Sequence, residues 1–306
     1  MWRTELKYRL EYLAVRLLVC LLQTVSISTG AAWARGFGYL AADVLRLRGK
    51  LVTKNLAAAF PDWPPAQRQL LARRMWEHLF LMVVEIAHLP RKLHETNWRE
   101  YVRLANPEVL TRALLDDRPL VLVTAHYGNF ELSGFVLGIF GFPTFTVARR
   151  LDNPYLDAFV NRFRAKTGQQ IIPKKGGFEQ IVSVLQERGA LALLSDQYAG
   201  NKGCWVDFFG RPASTHKAIA LFALANDAPI ICGFSRRLGR PLWYEFESTG
   251  RIDPRDQTPE STNPRLATQW YTSKIEQFIR RAPEQYWWLH DRWKEPRKRQ
   301  QARRAA

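Results

Sequence analysis

The run "LVLVTAH" at positions 120–126 is short, continuously apolar and rich in β-branched residues. Such a run predicts a strand buried on both faces, as in a parallel sheet. Runs of the same texture follow at "FPTFTVAR" (142–149), "QQIIP" (169–173), "ALALLSDQ" (190–197), "IICGFSRR" (230–237) and "LWYEFES" (242–248). Between them, apolar positions recur at helical spacing. The predicted helices cover "NPYLDAFVNRFRAKTG" (153–168), "GGFEQIVSVLQERG" (176–189), "STHKAIALFALANDAP" (214–229) and the closing segment 263–290. Gly168 stops the first of these, as glycine commonly does at a helix end. Strands alternating with helices predict an α/β domain with a mixed, largely parallel central sheet flanked by helices. "FFG" (208–210) and "PAST" (212–215) read as an apolar loop leading into a helix capped by Ser214 or Thr215.

The first hundred residues have a different texture. Residues 14–34 are mostly apolar, interrupted by Arg16 and Gln23. Their length sits at the lower edge for a membrane span. Arg3, Lys7 and Arg9 precede the run, and Arg35, Arg46, Arg48, Lys50 and Lys54 follow it. Positive flanks on both sides are satisfied by a helix that lies in the interface, or dips in and returns, with a single span, a soluble core helix and a signal peptide as the alternatives. Helices then cover 51–60 and the stretch after "PDWPP". The second carries Leu71, Met75, Leu79 and Met82 at helical spacing, with His78, Glu85 and His88 along it. Solvated or core-edge positions suit those three better than a metal site. The predicted organisation is residues 1–50 as membrane-associated helices, 51–294 as the α/β domain, and 295–306 as a basic, disordered tail.

Charge narrows the partners. The chain has 306 residues, 47% of them hydrophobic, and a formal charge of +17. That balance favours an anionic partner: a nucleic acid, an anionic membrane surface or an acidic carrier protein. Eleven tryptophans favour the membrane interface. No nucleic-acid motif is present, so none is expected as a partner. Three dispersed cysteines give no disulfide framework and no zinc spacing. No ligand cluster suggests a metal.

"HYGNFE" (126–131) carries the candidate chemistry. His126 stands at the carboxyl end of a predicted strand, where open α/β sheets place their sites. Gly128 permits a bend, Asn129 is a good helix cap, and Glu131 falls in the first helical turn. The bend can return Glu131 toward His126. A carboxylate on one imidazole nitrogen fixes the tautomer and raises the basicity of the other. A helix-capping glutamate beside a core histidine fits the same spacing, so spacing alone leaves both open.

The motif resembles the HX4(D/E) signature of glycerolipid-type acyltransferases, and more closely the HxGNxE form of the bacterial lipid A late acyltransferases. That family includes lauroyl and myristoyl transferases and relatives that acylate phosphatidylinositol mannosides. "RRLDNPYLDAFVNRFRAKTG" (149–168), "SDQYAGNKGCWVDFFGRPASTHKAIALFA" (195–223) and "PEQYWWLHDRWK" (283–294) resemble further blocks of the family in the same order. The resemblance implies a membrane-associated O-acyltransferase on the cytoplasmic face of the inner membrane. It implies an acyl group moved from acyl carrier protein, or less readily coenzyme A, to a glycolipid hydroxyl, with no other cofactor. His126 is then the base and Glu131 its orienting acid. Arg164 and Asp196 support them, with Arg149, Asn153, Gly128 and Asn129 nearby. The rival substrates are a phosphoinositide mannoside or an aminolipid. Rivals of other kinds are an acyl-thioester hydrolase and a basic nucleic-acid- or lipid-binding protein.

Overall fold

The structure is a computed structural model and describes residues 2–294; the basic tail at 295–306, expected to be disordered, lies outside the described residues. The chain opens with helices α1 (Trp2–Thr24), α2 (Ile27–Tyr39), α3 (Gly49–Ala59) and α4 (Pro65–Lys92). The α/β part follows in the order β1 (Val102–Ala105), α5 (Pro107–Leu115), β2 (Leu120–Thr124), α6 (Phe130–Ile139), β3 (Thr144–Ala148), α7 (Pro154–Ala165), β4 (Gln170–Pro173), α8 (Phe178–Gln186) and β5 (Ala190–Leu194). After these come β6 (Cys204–Phe208), β7 (Arg211–Thr215), α9 (Ala218–Ala225), β8 (Ile230–Arg237), β9 (Tyr244–Ile252), α10 (Pro259–Thr262) and α11 (Pro264–Arg281).

Seven strands form one sheet in the order β1-β9-β8-β2-β5-β3-β4. Only the β8/β9 pair is antiparallel within it. The mixed, largely parallel sheet therefore agrees with the strand texture. Successive side chains of a strand face opposite sides. Val121 and Val123 of β2 accordingly join the core under α4, α8, α9 and α11, while Leu120 and Leu122 pack toward α5 and α6.

Several boundaries differ from the sequence-based expectation, and α5 was not anticipated. β1 was not predicted: its four residues, VRLA, bury only Val102, too little to give a pattern. The stretch 204–215 is an antiparallel hairpin, not a loop and helix start. Ser214 and Thr215 are therefore fully buried strand residues, and α9 begins only at Ala218. The closing helix stops at Arg281, because Pro283 disfavours continuation through the residue before it. Tyr286 then pairs with Tyr127 in an isolated β-bridge.

The apolar N-terminal stretch is broken at Ser26, whose hydroxyl caps α2 by accepting from Thr29 N–H at 3.1 Å. Leu22 packs on Val84 and Ala87 of α4. The opposite side of α1 exposes Leu6, Leu10, Leu13, Leu17 and Leu21, a stripe at three- and four-residue spacing. Among the described residues, no helix is long and apolar enough to cross a membrane.

Candidate active site

Parallel pairing of β2 with β5 sets Thr124 opposite Leu194. His126 and Asp196, each two residues further on, thus leave the sheet side by side. Asp196 is almost wholly buried and holds His126 twice. One carboxylate oxygen accepts from the His126 N–H at 3.1 Å, and the other lies 2.9 Å from Nδ1. An ionised carboxylate only accepts, so Nδ1 carries the proton and Nε2 is the free basic nitrogen. Among the described residues, Nε2 has one hydrogen-bonding neighbour, the Gln197 amide at 3.5 Å. The ring sits edge-on between Phe130 and Trp287, with centroids 5.0 and 5.3 Å away.

This corrects the expected roles. Glu131 does not orient His126. It forms a two-pronged pair with Arg164, Nε to Oε2 at 2.9 Å and Nη2 to Oε1 at 2.5 Å. The cause is the direction of α6: Glu131 in its first turn faces the last turn of α7, where Arg164 lies. Asp196 takes that orienting place instead, because the strand register puts the imidazole against its carboxylate. Glu131 still acts on His126 through its field. Burial opposes charging the imidazole, but Asp196, with a smaller contribution from Glu131, outweighs it and raises the His126 pKa above the ordinary value. Burial likewise pushes Asp196 up, and the facing imidazole more than compensates, so its carboxyl lies below its usual range.

Gly128 has φ +60°, and a Cβ there would lie 1.6 Å from the Ser235 carbonyl oxygen, so the loop admits only glycine. Asn129 is fully buried and caps α6, its Oδ1 accepting from Leu132 N–H at 3.2 Å. The carbonyls of Gly128 and Asn129 are both tied inward, to His78 Nε2 at 3.0 Å and to the Ser235 hydroxyl at 2.9 Å. Trans peptides point the following N–H groups the opposite way. The N–H groups of Asn129 and Phe130 meet no acceptor among the described residues.

Asn153 does not line the site. Its Oδ1 caps α7 by accepting from Tyr155 and Leu156, and its Nδ2 donates to Tyr8 O and Glu11 of α1, both at 2.9 Å. It is therefore a structural tie between α7 and the N-terminal helix. Arg149 stands exposed at the rim, paired with Asp152 at 3.0 Å.

His126, Glu131 and Arg164 line a cavity of about 720 Å³ that runs along the sheet. Its walls are Leu110 and Leu114 of α5, Leu137 and Phe140 of α6, and Phe246 of β9. A largely apolar void with a base in its wall suits an alkyl chain with its reactive carbon beside that base. Among the described residues, no group of three or more metal-ligating side chains forms. Sequence reasoning missed the residues beneath the loop. His78 and Glu85 of α4 sit not at a core edge but in a buried network with Arg237. Their helical spacing was visible; their partner, 150 residues away, was not.

The family model for bacterial lipid A biosynthesis acyltransferases matches residues 3–295. Among curated relatives, the lipid A biosynthesis palmitoleoyltransferase of Escherichia coli is 26% identical over 84% of this chain and 82% of its own length. The lauroyltransferase of the same organism is 23% identical over 85% and 83%. The phosphatidylinositol mannoside acyltransferase of Mycobacterium tuberculosis is 27% identical over 76% and 74%. A solved 1-acyl-sn-glycerophosphate acyltransferase from Thermotoga maritima aligns with a TM-score of 0.40 at 10% identity, covering 84% of this chain and 98% of that one. A match through nearly the whole length settles kinship: this chain is an acyltransferase and belongs to the bacterial lipid A biosynthesis acyltransferase family.

Proposed function

We propose that the protein transfers a fatty acyl group from acyl carrier protein to a hydroxyl of a lipid A precursor. The acceptor hydroxyl belongs to an acyl chain already attached to the sugar, so the product is an acyloxyacyl group. The observation that carries this reading is the His126–Asp196 pair, with Nε2 in no ion pair among the described residues and His126 in the wall of the apolar cavity. His126 Nε2 takes the hydroxyl proton as the oxygen attacks the thioester carbon. The tetrahedral oxyanion is met by the N–H groups of Asn129 and Phe130, preorganised where charge develops. Its collapse breaks the carbon–sulfur bond. The leaving thiolate takes the proton back from the imidazolium, giving an ester and a free thiol. Asp196 orients the ring, and both it and Glu131 stabilise the imidazolium.

The donor choice rests on charge. Arg149 and Lys174 line the cavity mouth, and Arg150, Lys175 and Lys217 stand exposed beside them in the chain. Such a rim complements the acidic surface of a carrier protein and the phosphate of its pantetheine arm. Lipid mass spectrometry of cells lacking and re-expressing the chain tests the reaction. One acyl group should be lost from lipid A and regained on re-expression. An unchanged lipid A profile would overturn the proposal, and a change confined to another lipid would move the acceptor.

The membrane carries the acceptor, and the N-terminal helices supply the contact. Besides the leucine stripe of α1, α2 exposes Trp33 and Phe37, with Arg3, Lys7 and Arg35 nearby in the chain. A helix with one buried and one exposed apolar side lies in the interface rather than across it. With acyl carrier protein as donor, this reading puts the enzyme on the cytoplasmic face of the inner membrane. Leu13→Glu/Leu17→Glu should lower co-flotation with phosphatidylglycerol vesicles about 10-fold or more, each charge costing its burial in the apolar zone. Unchanged flotation would place the membrane contact elsewhere.

A further inference from the structure

Beneath the HYGNFE loop lies a buried polar network that the chemistry above does not use. Glu85 is fully buried in α4 and receives Arg237 in a two-pronged pair, at 2.8 Å to Oε1 and 2.5 Å to Oε2. It also accepts from Leu242 N–H at 2.9 Å and from the Tyr244 hydroxyl. Arg237 turns a third N–H onto His78 Nδ1 at 2.7 Å. Arginine only donates, so His78 Nδ1 is an acceptor and the ring is neutral with its proton on Nε2. That proton is donated to the Gly128 carbonyl at 3.0 Å. Burial, reinforced by the Arg237 charge and only partly offset by the Gly128 bond, holds His78 well below the ordinary histidine range.

The network is closed from the other side by the carboxyl-terminal segment. Gln285 accepts from Arg237 N–H at 2.8 Å and donates to the Arg237 carbonyl at 3.0 Å. Its own carbonyl accepts from Gly128 N–H at 2.8 Å. Both sides of Gly128 are thus fixed by groups that Arg237 holds.

We propose that His78 is a positioning residue for acyl transfer, acting through the Gly128 carbonyl. The geometry makes the link direct. The peptide joining Gly128 to Asn129 is rigid and trans, so aiming its C=O at His78 aims its N–H the other way. Glycine at φ +60° has unusual freedom to rotate that peptide, and a hydrogen bond is needed to hold one orientation. His78 supplies it, and Arg237 with Glu85 supplies the tautomer. Misplacement of a donor by about 1 Å costs on the order of 100-fold in rate. The proposal rests on His126 being the base at this loop.

The test compares His78→Gln, His78→Asn and His78→Leu in the full-length enzyme. Acyl carrier protein loaded with a fatty acid is the donor, a lipid A precursor the acceptor, and thioester loss is followed alongside ester formation. Glutamine reaches the Nε2 position with an N–H for the Gly128 carbonyl; asparagine keeps an oxygen near the Nδ1 position for Arg237 but stops short of Gly128, and leucine has neither group. Expected are a kcat for His78→Gln within about 3-fold of wild type and losses of about 10- to 100-fold for the other two. KM should change less than about 2-fold, and melting is recorded so that kcat is read well below each Tm. Full kcat in His78→Asn or His78→Leu would overturn the proposal. So would equal losses in His78→Gln and His78→Asn. His126→Ala in the same assay separates the two ideas: if it retains turnover, the base assignment fails whatever His78 does. Should His78→Leu not fold, His78→Asn against His78→Gln decides alone.

Discussion

His126→Ala should lower kcat for acyl transfer by about 10²- to 10⁴-fold, read well below its melting temperature, which falls because the buried Asp196 loses its side-chain partner. The size follows from losing a positioned general base. The side chain is partly solvent-facing and packs edge-on between Phe130 and Trp287, so its removal leaves the backbone ties of the loop in place. The same assay reads the pH dependence. Nε2 must be unprotonated to accept the hydroxyl proton, and the His126 pKa is raised, with Asp196 and Glu131 overcoming burial. Protonation therefore begins at a higher pH than in free histidine, and the acid limb of kcat/KM should lie above about pH 6.5. Asp196→Asn removes the largest raising influence. Its limb should move to lower pH while its plateau falls, since the tautomer is no longer fixed. A limb that stays put in Asp196→Asn would refute the pair. Turnover by His126→Ala at the wild-type rate would refute the base.

Glu85→Ala should be strongly destabilising. It leaves Arg237 buried without its carboxylate and frees the Leu242 N–H and Tyr244 hydroxyl as well. Breaking a buried pair from one side costs about 3–5 kcal/mol. Thermal and urea melts measure it, and a melt within about 2 °C of wild type would show that the pair does not hold the domain. The double variant Glu85→Met/Arg237→Met separates stability from function. Replacing both charges by apolar groups of similar length is often neutral for stability. It should recover most of the melting temperature but not kcat, because His78 loses the donor that sets its tautomer.

Much of the site was legible because its signals are local. A short β-branched run, a glycine that alone fits φ +60°, and a capping asparagine place His126 at a strand end and Glu131 in a helix start. Asn153 as a cap and Arg149 beside a strand end were readable the same way. The hairpin at 204–215 was not, because its apolar aromatics suit a packed loop equally well. Only its pairing with itself, under α11, distinguishes the two.

What the sequence alone determined is the alternation of strands and helices, the exposed basic character and the loop that carries the histidine. These follow from side-chain periodicity and from backbone preferences of single residues, which act over a few positions. The partner of that histidine was decided by tertiary structure. β2 lies next to β5, with β3 and β4 placed beyond it, so Asp196 meets His126 and Glu131 is left to Arg164. Strand order is set by which buried surfaces fit together across long sequence separations, and no local pattern encodes it. The same holds beneath the loop, where α4 and β8 bring His78, Glu85 and Arg237 together across separations of 159 and 152 residues.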